Sequence, residues 1–250
     1  MDIKAATLEL SKIYGIHPSR SKGQNFLLDP EVYEKVIKAA QLTPQDIVLE
    51  VGPGLGFLTV ELSRKAKRVI AVELDEKLFS LLQTKIVSLG IGNIELVNQD
   101  ILRYQIIEKK YKVVANLPYN ISSIFLRTFL SSPQPPTDMV LLLQKEVAER
   151  LCAQSPQMSL LAVSVQFYGR PEIIDFVPAR SFWPQPEVES AIVRVVLRPD
   201  FYLPVKQHKL FFRLVRAGFS AKRKMLKNNL TAGLKLEAEK VAQLILDCQL

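Results

Sequence analysis

The sequence is poor in the residues that build metal sites, disulfide frameworks and membrane spans. Its two cysteines, Cys152 and Cys248, have no partners at the spacing of metal ligands, and its two histidines, His17 and His208, are isolated. The apolar run Met139–Leu143 is far too short to cross a bilayer, and the first residues lack the basic-then-apolar order of a signal peptide. We therefore expect a reduced cytoplasmic protein without metal, disulfide or membrane association.

What the sequence does contain is an excess of basic residues near its end. Of its 250 residues, 48% are hydrophobic and 23% are charged, which is ordinary for a globular protein. Residues 201–250 hold ten Lys and Arg against three Asp and Glu, a net charge of +7, whereas the whole chain carries +8. A basic end on a near-neutral body favours a polyanionic partner, although a solvated helical face would explain the same charges. We expect a large domain over 1–200 and a small basic helical domain over 201–250.

A glycine-rich turn organises the first half of the chain. The segment E-V-G-P-G-L-G at 50–56 follows the apolar run Ile47–Leu49 and precedes a helical pattern at 58–62. This order of strand, tight turn and helix opens a βαβ unit. Gly52 and Gly54 let the backbone approach a ligand closely, and the free N–H groups at the helix start favour polar or anionic ligand groups.

An acidic residue indicates what this turn binds. The apolar run Val69–Val72 ends in Glu73, 21 residues after Gly52. At that distance a carboxylate lies at the tip of the adjacent strand, where it can accept hydrogen bonds from ribose hydroxyls. The dinucleotide fingerprint would need a small residue where this chain has Phe57, which disfavours a nicotinamide-dependent oxidoreductase. The alternating glycines resemble instead the turn of S-adenosylmethionine-dependent methyltransferases, while a plain turn without ligand is the alternative.

Two further stretches place polar groups beside the predicted nucleoside. Asp100 follows the strand Ile94–Val97, on the carboxyl-end rim where doubly wound sheets bind ligands. It either accepts a hydrogen bond from an adenine amine or caps the turn that follows. The loop Gln24–Leu27 leads into a helix whose start is marked by Asp29 and Pro30, and its amides either face a ligand or cap the loop.

The segment N-L-P-Y at 116–119 is more specific and follows the strand Lys112–Ala115. Methyl transfer to an exocyclic amine requires the nitrogen lone pair to be turned out of conjugation and aimed at the methyl group. The Asn116 carboxamide oxygen and a backbone carbonyl of Leu117 or Pro118 can accept the two N–H bonds and hold that geometry, and the proline stiffens the loop. Tyr119 offers a stacking face for a purine. The segment therefore predicts amino methylation, although a simple turn can have the same composition.

The remaining patterns predict elements rather than chemistry. A weak helix is expected over Thr7–Tyr14, and the apolar stretch Leu160–Tyr168 favours a helix over a strand. Ala191–Leu197 is expected to close the sheet as an antiparallel partner of the strand at 172–177. Helices follow beyond 204, the second of them starting after Ser220 as its N-cap.

Taken together, these motifs resemble those of the ribosomal RNA adenine N6,N6-dimethyltransferases, in particular the enzymes of the small subunit. The shared stretches run nearly end to end: G-Q-N-F-L at 23–27, E-V-G-P-G-L-G at 50–56, V-E-L-D at 72–75, N-Q-D at 98–100, N-L-P-Y-N-I-S at 116–122, L-Q-K-E-V at 143–147, F-W-P-Q-P-E-V-E-S at 182–190 and F-S-A-K-R-K-M-L-K-N-N-L at 219–230. The resemblance implies an α/β fold with a class I, Rossmann-like methyltransferase sheet. It also implies a C-terminal helical domain that is usually longer than residues 201–250.

The resemblance assigns expected roles to individual residues. The cofactor-binding residues are expected to be Asn25, Leu27, Gly52, Gly54, Glu73, Asp100 and Asn116. The catalytic residues are expected to be Asn116, Leu117, Pro118, Tyr119 and Phe182, with Tyr119 and Phe182 as aromatic rings that flank the target adenine. Phosphate contacts are expected at Lys222, Arg223, Lys224 and Lys227, which we call the basic cluster.

The implied activity is methyl transfer from S-adenosylmethionine, with S-adenosylhomocysteine as product, to N6 of two adjacent adenines of small-subunit (16S) rRNA. We expect a monomer that acts on rRNA of the immature small ribosomal subunit. Two alternatives stay open. The related methylases of large-subunit rRNA share nearly every motif of the first 200 residues, and K-R-K-M-L-K-N-N-L at 222–230 favours the small-subunit enzyme. A non-catalytic RNA-binding assembly factor of the same fold would not need the intact N-L-P-Y segment.

Overall fold

A mixed seven-stranded sheet with helices on both faces forms the body of the protein. The computed structural model describes residues 2–18, 23–198, 204–221 and 223–248. In this part of the chain the strands are Phe26–Leu27 (β1), Ile47–Val51 (β2), Arg68–Glu73 (β3), Ile94–Asn98 (β4), Lys112–Asn116 (β5), Asp138–Gln144 (β6), Gly169–Val177 (β7), Phe182–Trp183 (β8) and Ser190–Leu197 (β9). The helices are Ile3–Ile13 (α1), Pro30–Ala40 (α2), Phe57–Ser63 (α3), Glu76–Ser88 (α4), Ser122–Leu130 (α5), Lys145–Cys152 (α6), Leu160–Tyr168 (α7), Val205–Gly218 (α8), Leu226–Leu234 (α9) and Ala238–Asp247 (α10).

The strand order places a ligand site at the middle of the sheet. The order is β4-β3-β2-β5-β6-β9-β7, in which β4, β3, β2, β5 and β6 are parallel to one another and β9 is antiparallel to both β6 and β7. The chain builds outward from β2 to β3 and β4 on one side and restarts at β5 on the other. Ligands of open α/β sheets bind at the carboxyl ends of the strands at such a switch point.

The predicted α/β fold is confirmed, with differences in detail. β9 is antiparallel to β7 as predicted, but it lies between β6 and β7, so β7 and not β9 closes the sheet. Leu160–Tyr168 is a helix, as predicted. The first helix begins at Ile3 rather than at Thr7, because the Asp2 carboxylate caps it by accepting a hydrogen bond from the Ala5 N–H. The small antiparallel pair of β1 and β8 was not predicted, since runs of two residues leave no periodic signal.

The C-terminal helices pack on the body through aromatic rings. Phe211 and Phe212 of α8 contact Phe167 of α7, with ring centroids 4.5 and 5.2 Å apart. α9 lies so close to α8 that a Cβ at Gly233 would stand 2.6 Å from the Ala217 Cβ. Only glycine allows this approach. The predicted domain boundary at 200/201 lies outside the described residues, and no described helix is long and apolar enough to cross a membrane.

The predicted start of the second C-terminal helix is wrong. α9 begins at Leu226, and Ser220 instead lies just beyond the C-terminal end of α8, where its N–H donates to the Ala217 carbonyl. The buried Asn229 side chain donates to the carbonyls of Gly218 and Ala221, at 2.9 and 3.0 Å. These two bonds fix an irregular turn ahead of α9, because they satisfy carbonyls that a continuing helix would otherwise have used.

Candidate cofactor and active site

A cavity of about 240 Å³ opens at the carboxyl ends of β2, β3 and β5. Its wall is made by the loop 23–27, the glycine turn 51–56, the strand ends at 72–75 and 99–101, and the loop 116–121. The fold thus brings together segments that lie far apart in the sequence. All the residues predicted to bind the cofactor line this cavity, namely Asn25, Leu27, Gly52, Gly54, Glu73, Asp100 and Asn116. Their individual contacts with a ligand stay predictions.

The charge of the wall indicates which kind of nucleoside fits. Glu73, Asp75 and Asp100 line the cavity, and none of the described lining residues is Lys, Arg or His. An acidic wall without cations opposes a pyrophosphate group and suits a ligand that carries positive charge. A sulfonium such as that of S-adenosylmethionine therefore fits the cavity better than a nicotinamide dinucleotide does.

The glycine turn takes a backbone course that other residues resist. Gly52, Gly54 and Gly56 have φ angles of +63°, +57° and +76°, in the left-handed region. At Gly54 a Cβ would also stand 3.1 Å from Cε1 of Phe26, whose ring belongs to the opposite wall. The turn is therefore held close under the loop 23–27 and narrows the cavity at this point.

Glu73 is fixed by backbone donors on both of its carboxylate oxygens. Oε2 accepts from the Gly54 N–H at 3.0 Å and Oε1 from the Asp75 N–H at 2.9 Å. The side chain is buried, and this burial raises its pKa, while the backbone hydrogen bonds act in the opposite direction. Each carboxylate oxygen has a second lone pair, so Glu73 can accept further hydrogen bonds from a ribose in the cavity.

Asp100 caps the turn after β4, one of the two roles that its sequence position left open, while its contact with an adenine amine stays a prediction. Its Oδ1 accepts from the Leu102 N–H at 2.9 Å, which caps the turn after β4. Its Oδ2 lies 3.9 Å from the Arg103 Nε, a loose pair at the surface. The same side chain lines the cavity. Capping therefore orients the carboxylate on the rim and leaves it accessible to an adenine amine.

The loop 23–27 forms a roof over the cavity. The Asn116 Nδ2 donates to the Asn25 carbonyl oxygen at 3.0 Å, which ties this roof to the predicted catalytic loop. The Tyr33 hydroxyl donates to the Leu27 carbonyl oxygen at 2.9 Å and holds the other end of the roof on α2. Because the Asn116 amide nitrogen is used in this way, its carboxamide oxygen is the atom left to accept a hydrogen bond from a substrate.

The structure decides between the two backbone carbonyls that were predicted to assist Asn116. The Pro118 oxygen already accepts from the Ile121 N–H and from the Ser122 hydroxyl, at 3.1 and 3.2 Å. The Leu117 oxygen accepts no hydrogen bond within the described residues, while its side chain is buried and anchors the loop in the core. Of the two carbonyls, that of Leu117 is thus the one available to a substrate amine.

Tyr119 lines the cavity and is held by a residue that sequence reasoning missed. Its hydroxyl lies 2.8 Å from the Ser190 Oγ, and burial raises its pKa. Ser190 is completely buried at the start of β9. The only sequence signal for this role is the end of the F-W-P-Q-P-E-V-E-S stretch. The hydrogen bond fixes the direction of the Tyr119 ring, which a purine-stacking role would need.

Phe182 is not brought to the cavity. Its side chain is 2% exposed and packs with buried apolar residues on the α2 side of the sheet. Its neighbour on β8, Trp183, points the other way and stacks on Phe26 with ring centroids 6.2 Å apart. Successive side chains of a strand alternate between faces, so only one of the two can face the roof. The role of Phe182 beside a target adenine stays a prediction.

Glu50 is a second residue that the sequence analysis did not single out. It lies in β2, is 1% exposed and lines the cavity, and its Oε2 has no hydrogen-bond partner within the described residues. Burial raises the pKa of this carboxyl to about 8, and the nearby Glu73 adds to the shift, whereas Lys85 opposes it. Near neutral pH the carboxyl is therefore mainly protonated and can donate a hydrogen bond into the cavity.

The basic cluster lies on the turn that Asn229 fixes. Arg223 and Lys224 are exposed and Lys227 is half-buried at the start of α9, and none of them makes an ion pair within the described residues. Lys222 lies outside the described residues. The cluster therefore presents unneutralised cations at the surface, which is compatible with the predicted phosphate contacts.

The strand order, the glycine turn and the acidic nucleoside cavity together define a class of protein, the S-adenosylmethionine-dependent methyltransferases. Solved structures agree with this class. The chain is similar to a dimethyladenosine transferase from Plasmodium falciparum, with 32% identity and a TM-score of 0.75, over 84% of this chain and 77% of that one. It is also similar to the 23S rRNA methyltransferase ErmE, with 29% identity and a TM-score of 0.72, over 83% and 84% of the two chains.

The chain belongs to the ribosomal RNA adenine dimethylase family, whose family model matches residues 17–247. Curated relatives carry the name ribosomal RNA small subunit methyltransferase A. One from Dehalococcoides mccartyi is 42% identical over 97% of this chain and 84% of its own length. One from a Geobacillus species is 36% identical over 91% of this chain and 81% of its own length. The resemblance inferred from the motifs is thereby confirmed.

Proposed function

We propose that this chain transfers methyl groups from S-adenosylmethionine to N6 of two adjacent adenines of small-subunit rRNA, which yields dimethyladenosine during maturation of the subunit. The observation that carries the proposal is the N-L-P-Y loop at the rim of an acidic nucleoside cavity. There the Asn116 amide nitrogen donates to the Asn25 carbonyl, and the Leu117 carbonyl oxygen accepts no hydrogen bond from any residue that the structure describes. Two acceptors in one loop match the two N–H bonds of an adenine amine.

The protein contributes orientation rather than acid–base chemistry. When the Asn116 and Leu117 oxygens accept the two N–H bonds, the amine lone pair is turned out of conjugation with the ring and toward the methyl donor. The amine, once methylated, would lose its proton to solvent. Tyr119, fixed by Ser190, supports the purine ring. Closure of the cavity over the reacting atoms excludes water.

Bound S-adenosylmethionine supplies the electrophilic methyl group. Glu73 would hold its ribose and Asp100 its adenine amine, because each carboxylate lines the cavity with a lone pair to spare. Gly52 and Gly54 would let the backbone approach the ligand, and the roof residues Asn25 and Leu27 would cover it. The product S-adenosylhomocysteine would leave by the same opening.

The partner in this proposal is rRNA of the immature small ribosomal subunit, and the protein acts as a monomer in the cytoplasm without a metal ion. Its target adenines must leave their stack to reach the cavity, so unpaired loop nucleotides are the natural substrates. The likeness to ErmE makes large-subunit rRNA the competing substrate. The choice between the two rests on the K-R-K-M-L-K-N-N-L stretch.

In-vitro methylation tests the proposal. The purified chain is incubated with methyl-labelled S-adenosylmethionine and, separately, with immature small subunits, bare small-subunit rRNA and large-subunit rRNA. We expect dimethyladenosine at two adjacent positions of the small-subunit RNA, mapped by mass spectrometry of nuclease fragments. The Asn116→Ala variant is the matched control and should give almost none. Modification of the large-subunit RNA alone, or at a single adenine, would overturn the assignment.

A salt titration tests the basic cluster. If its four residues contact phosphates, replacing all of them by Gln should weaken RNA binding and lower the slope of log affinity against log salt by about 0.7 for each lost contact. The control replaces Lys65 and Lys67, which are exposed just before β3 begins. They therefore lie at the sheet edge opposite the cavity, and their removal should leave the slope nearly unchanged. Equal slopes for both variants would show that the cluster is an ordinary solvated face.

A further inference from the structure

A second cavity lies between α5, α7 and α8, and it shares no lining residue with the cofactor cavity. Its volume of about 440 Å³ falls within the range of small-ligand sites. The cations Arg127, Lys209 and Arg216 stand along its rim, and Tyr168 and Phe212 lie at its floor. We call it the α5–α8 cleft.

The charged side chains that line the α5–α8 cleft are all basic. Its three rim cations are exposed and make no ion pair within the described residues. None of its lining residues is Asp or Glu, and α5, α7 and α8 contain no acidic residue at all. None of the three helices that form the cleft therefore supplies a carboxylate to neutralise these cations. Such a cleft attracts anions.

The floor of the cleft is apolar and partly aromatic. The rings of Tyr168 and Phe212 stack with their centroids 5.7 Å apart, and Leu130 and Val165 beside them are buried. A ligand that matches the whole cleft therefore combines an apolar flat body with one or more negative charges at its edge. An unpaired nucleotide has this composition, because its base is apolar on its faces and its phosphates are charged.

The position of the cleft favours RNA over a free nucleotide. α5 starts directly after the catalytic loop and reaches Arg127 about 8 Å further along its axis. α8 carries Lys209 and Arg216, and it ends at Gly218, just before the basic cluster. The rim cations thus continue the positive surface that begins at the basic cluster.

We propose that the α5–α8 cleft is a second RNA-binding site, which holds one unpaired nucleotide of the substrate other than the adenines that are methylated. The phosphates of this nucleotide bind Arg127, Lys209 and Arg216, and its base lies on the apolar floor. The proposal rests on the proposed function, since it needs an RNA substrate, and it adds an anchor that positions this RNA independently of the catalytic loop.

A matched pair of double variants on α8 tests the proposal. Lys209→Gln with Arg216→Gln removes two rim cations seven residues apart. Lys206→Gln with Arg213→Gln removes one Lys and one Arg at the same spacing on the same helix, and these two residues are exposed but do not line the cleft. Both variants therefore lose the same charge. Circular dichroism and calorimetry with S-adenosylmethionine confirm in each case that the fold and the cofactor cavity are intact.

Binding of transcribed small-subunit rRNA is then measured at several salt concentrations. The rim variant should lower the slope of log affinity against log salt by about 1.4, since each phosphate contact contributes about 0.7 on single strands. The control variant should leave the slope nearly unchanged. Ultraviolet cross-linking with mass spectrometry should place a nucleotide on the peptide that contains Phe212 in the wild type but not in the rim variant.

The outcomes separate this proposal from the proposed function. If the wild type methylates small-subunit rRNA but the two variants have the same slope, the cleft is not an RNA site and the proposed function stands. If adenosine monophosphate binds in the micromolar range and depends on the rim cations while the RNA slope does not, the cleft is a metabolite site and the proposal is wrong. A wild type that methylates no rRNA overturns the proposed function instead.

Discussion

Glu50→Gln is the substitution whose effect on stability the structure defines best. Glu50 is buried beneath the cofactor cavity, and its Oε2 has no hydrogen-bond partner within the described residues. Of the charges near it, Glu73 disfavours its ionised form and Lys85 favours it, but burial outweighs both. Glutamine keeps the size of the protonated acid and has no ionised form. The variant therefore removes the titration and little else.

The sign of the effect follows from proton binding. Burial raises the pKa of Glu50 from 4.5 to about 8 in the folded protein, whereas in the unfolded chain it returns to its ordinary value. Between these pH values the folded state binds more protons than the unfolded state, so the free energy of unfolding falls as pH rises. Because each pKa unit is worth about 1.36 kcal/mol, we expect the folded protein to lose several kcal/mol of stability as the pH rises through this range.

Urea unfolding of wild type and Glu50→Gln at pH 5 and pH 8.5 measures this effect. All other titrating groups are common to both proteins. The change with pH in the difference between their free energies of unfolding is therefore due to Glu50. We expect similar stabilities at pH 5 and a variant that is more stable by several kcal/mol at pH 8.5. The control is Glu146→Gln, since the Glu146 side chain is 83% exposed, and it should show no pH-dependent difference. If the free energies of unfolding of wild type and Glu50→Gln differed by the same amount at both pH values, the raised pKa of Glu50 would be refuted.

Three further predictions concern the cofactor cavity and the catalytic loop. Asn116→Ala should reduce single-turnover methylation at least about 100-fold with little change in RNA affinity, because the carboxamide acts on transition-state geometry; a near-normal rate would contradict its role. Glu73→Ala should weaken S-adenosylmethionine binding in calorimetry by about 1–3 kcal/mol, since buried hydrogen-bonding groups lose their acceptor; unchanged binding with an intact fold would exclude the ribose contact. Trp183, the single tryptophan of the chain, stacks on Phe26 of the cavity wall, so its fluorescence should change when S-adenosylmethionine binds; unaltered emission with calorimetrically proven binding would show that the roof does not respond.

Most of the fold and the outline of the site can be predicted from local patterns in the sequence. Strand-length apolar runs such as Val69–Val72, the glycine turn at 50–56 and the start of α2 at Asp29 and Pro30 are local signals, because periodicity, backbone freedom and capping act over a few neighbouring residues. Once the strands are inferred to be parallel, their carboxyl ends must lie at the same edge of the sheet. The predicted gathering of Glu73 and Asp100 follows from that rule alone.

The features that could not be predicted depend on contacts between residues that are distant in the chain. The hydroxyl of Tyr119 meets Ser190, and the two-residue strands β1 and β8 pair across more than 150 residues. Whether Phe182 or Trp183 faces the roof, and whether Asn229 fixes a turn between α8 and α9, depends on the packing of the whole chain. The raised pKa of Glu50 depends on the water excluded by several elements at once. Desolvation, strand register and hydrogen bonds between distant residues depend on the complete tertiary structure, so no local pattern in the sequence encodes them.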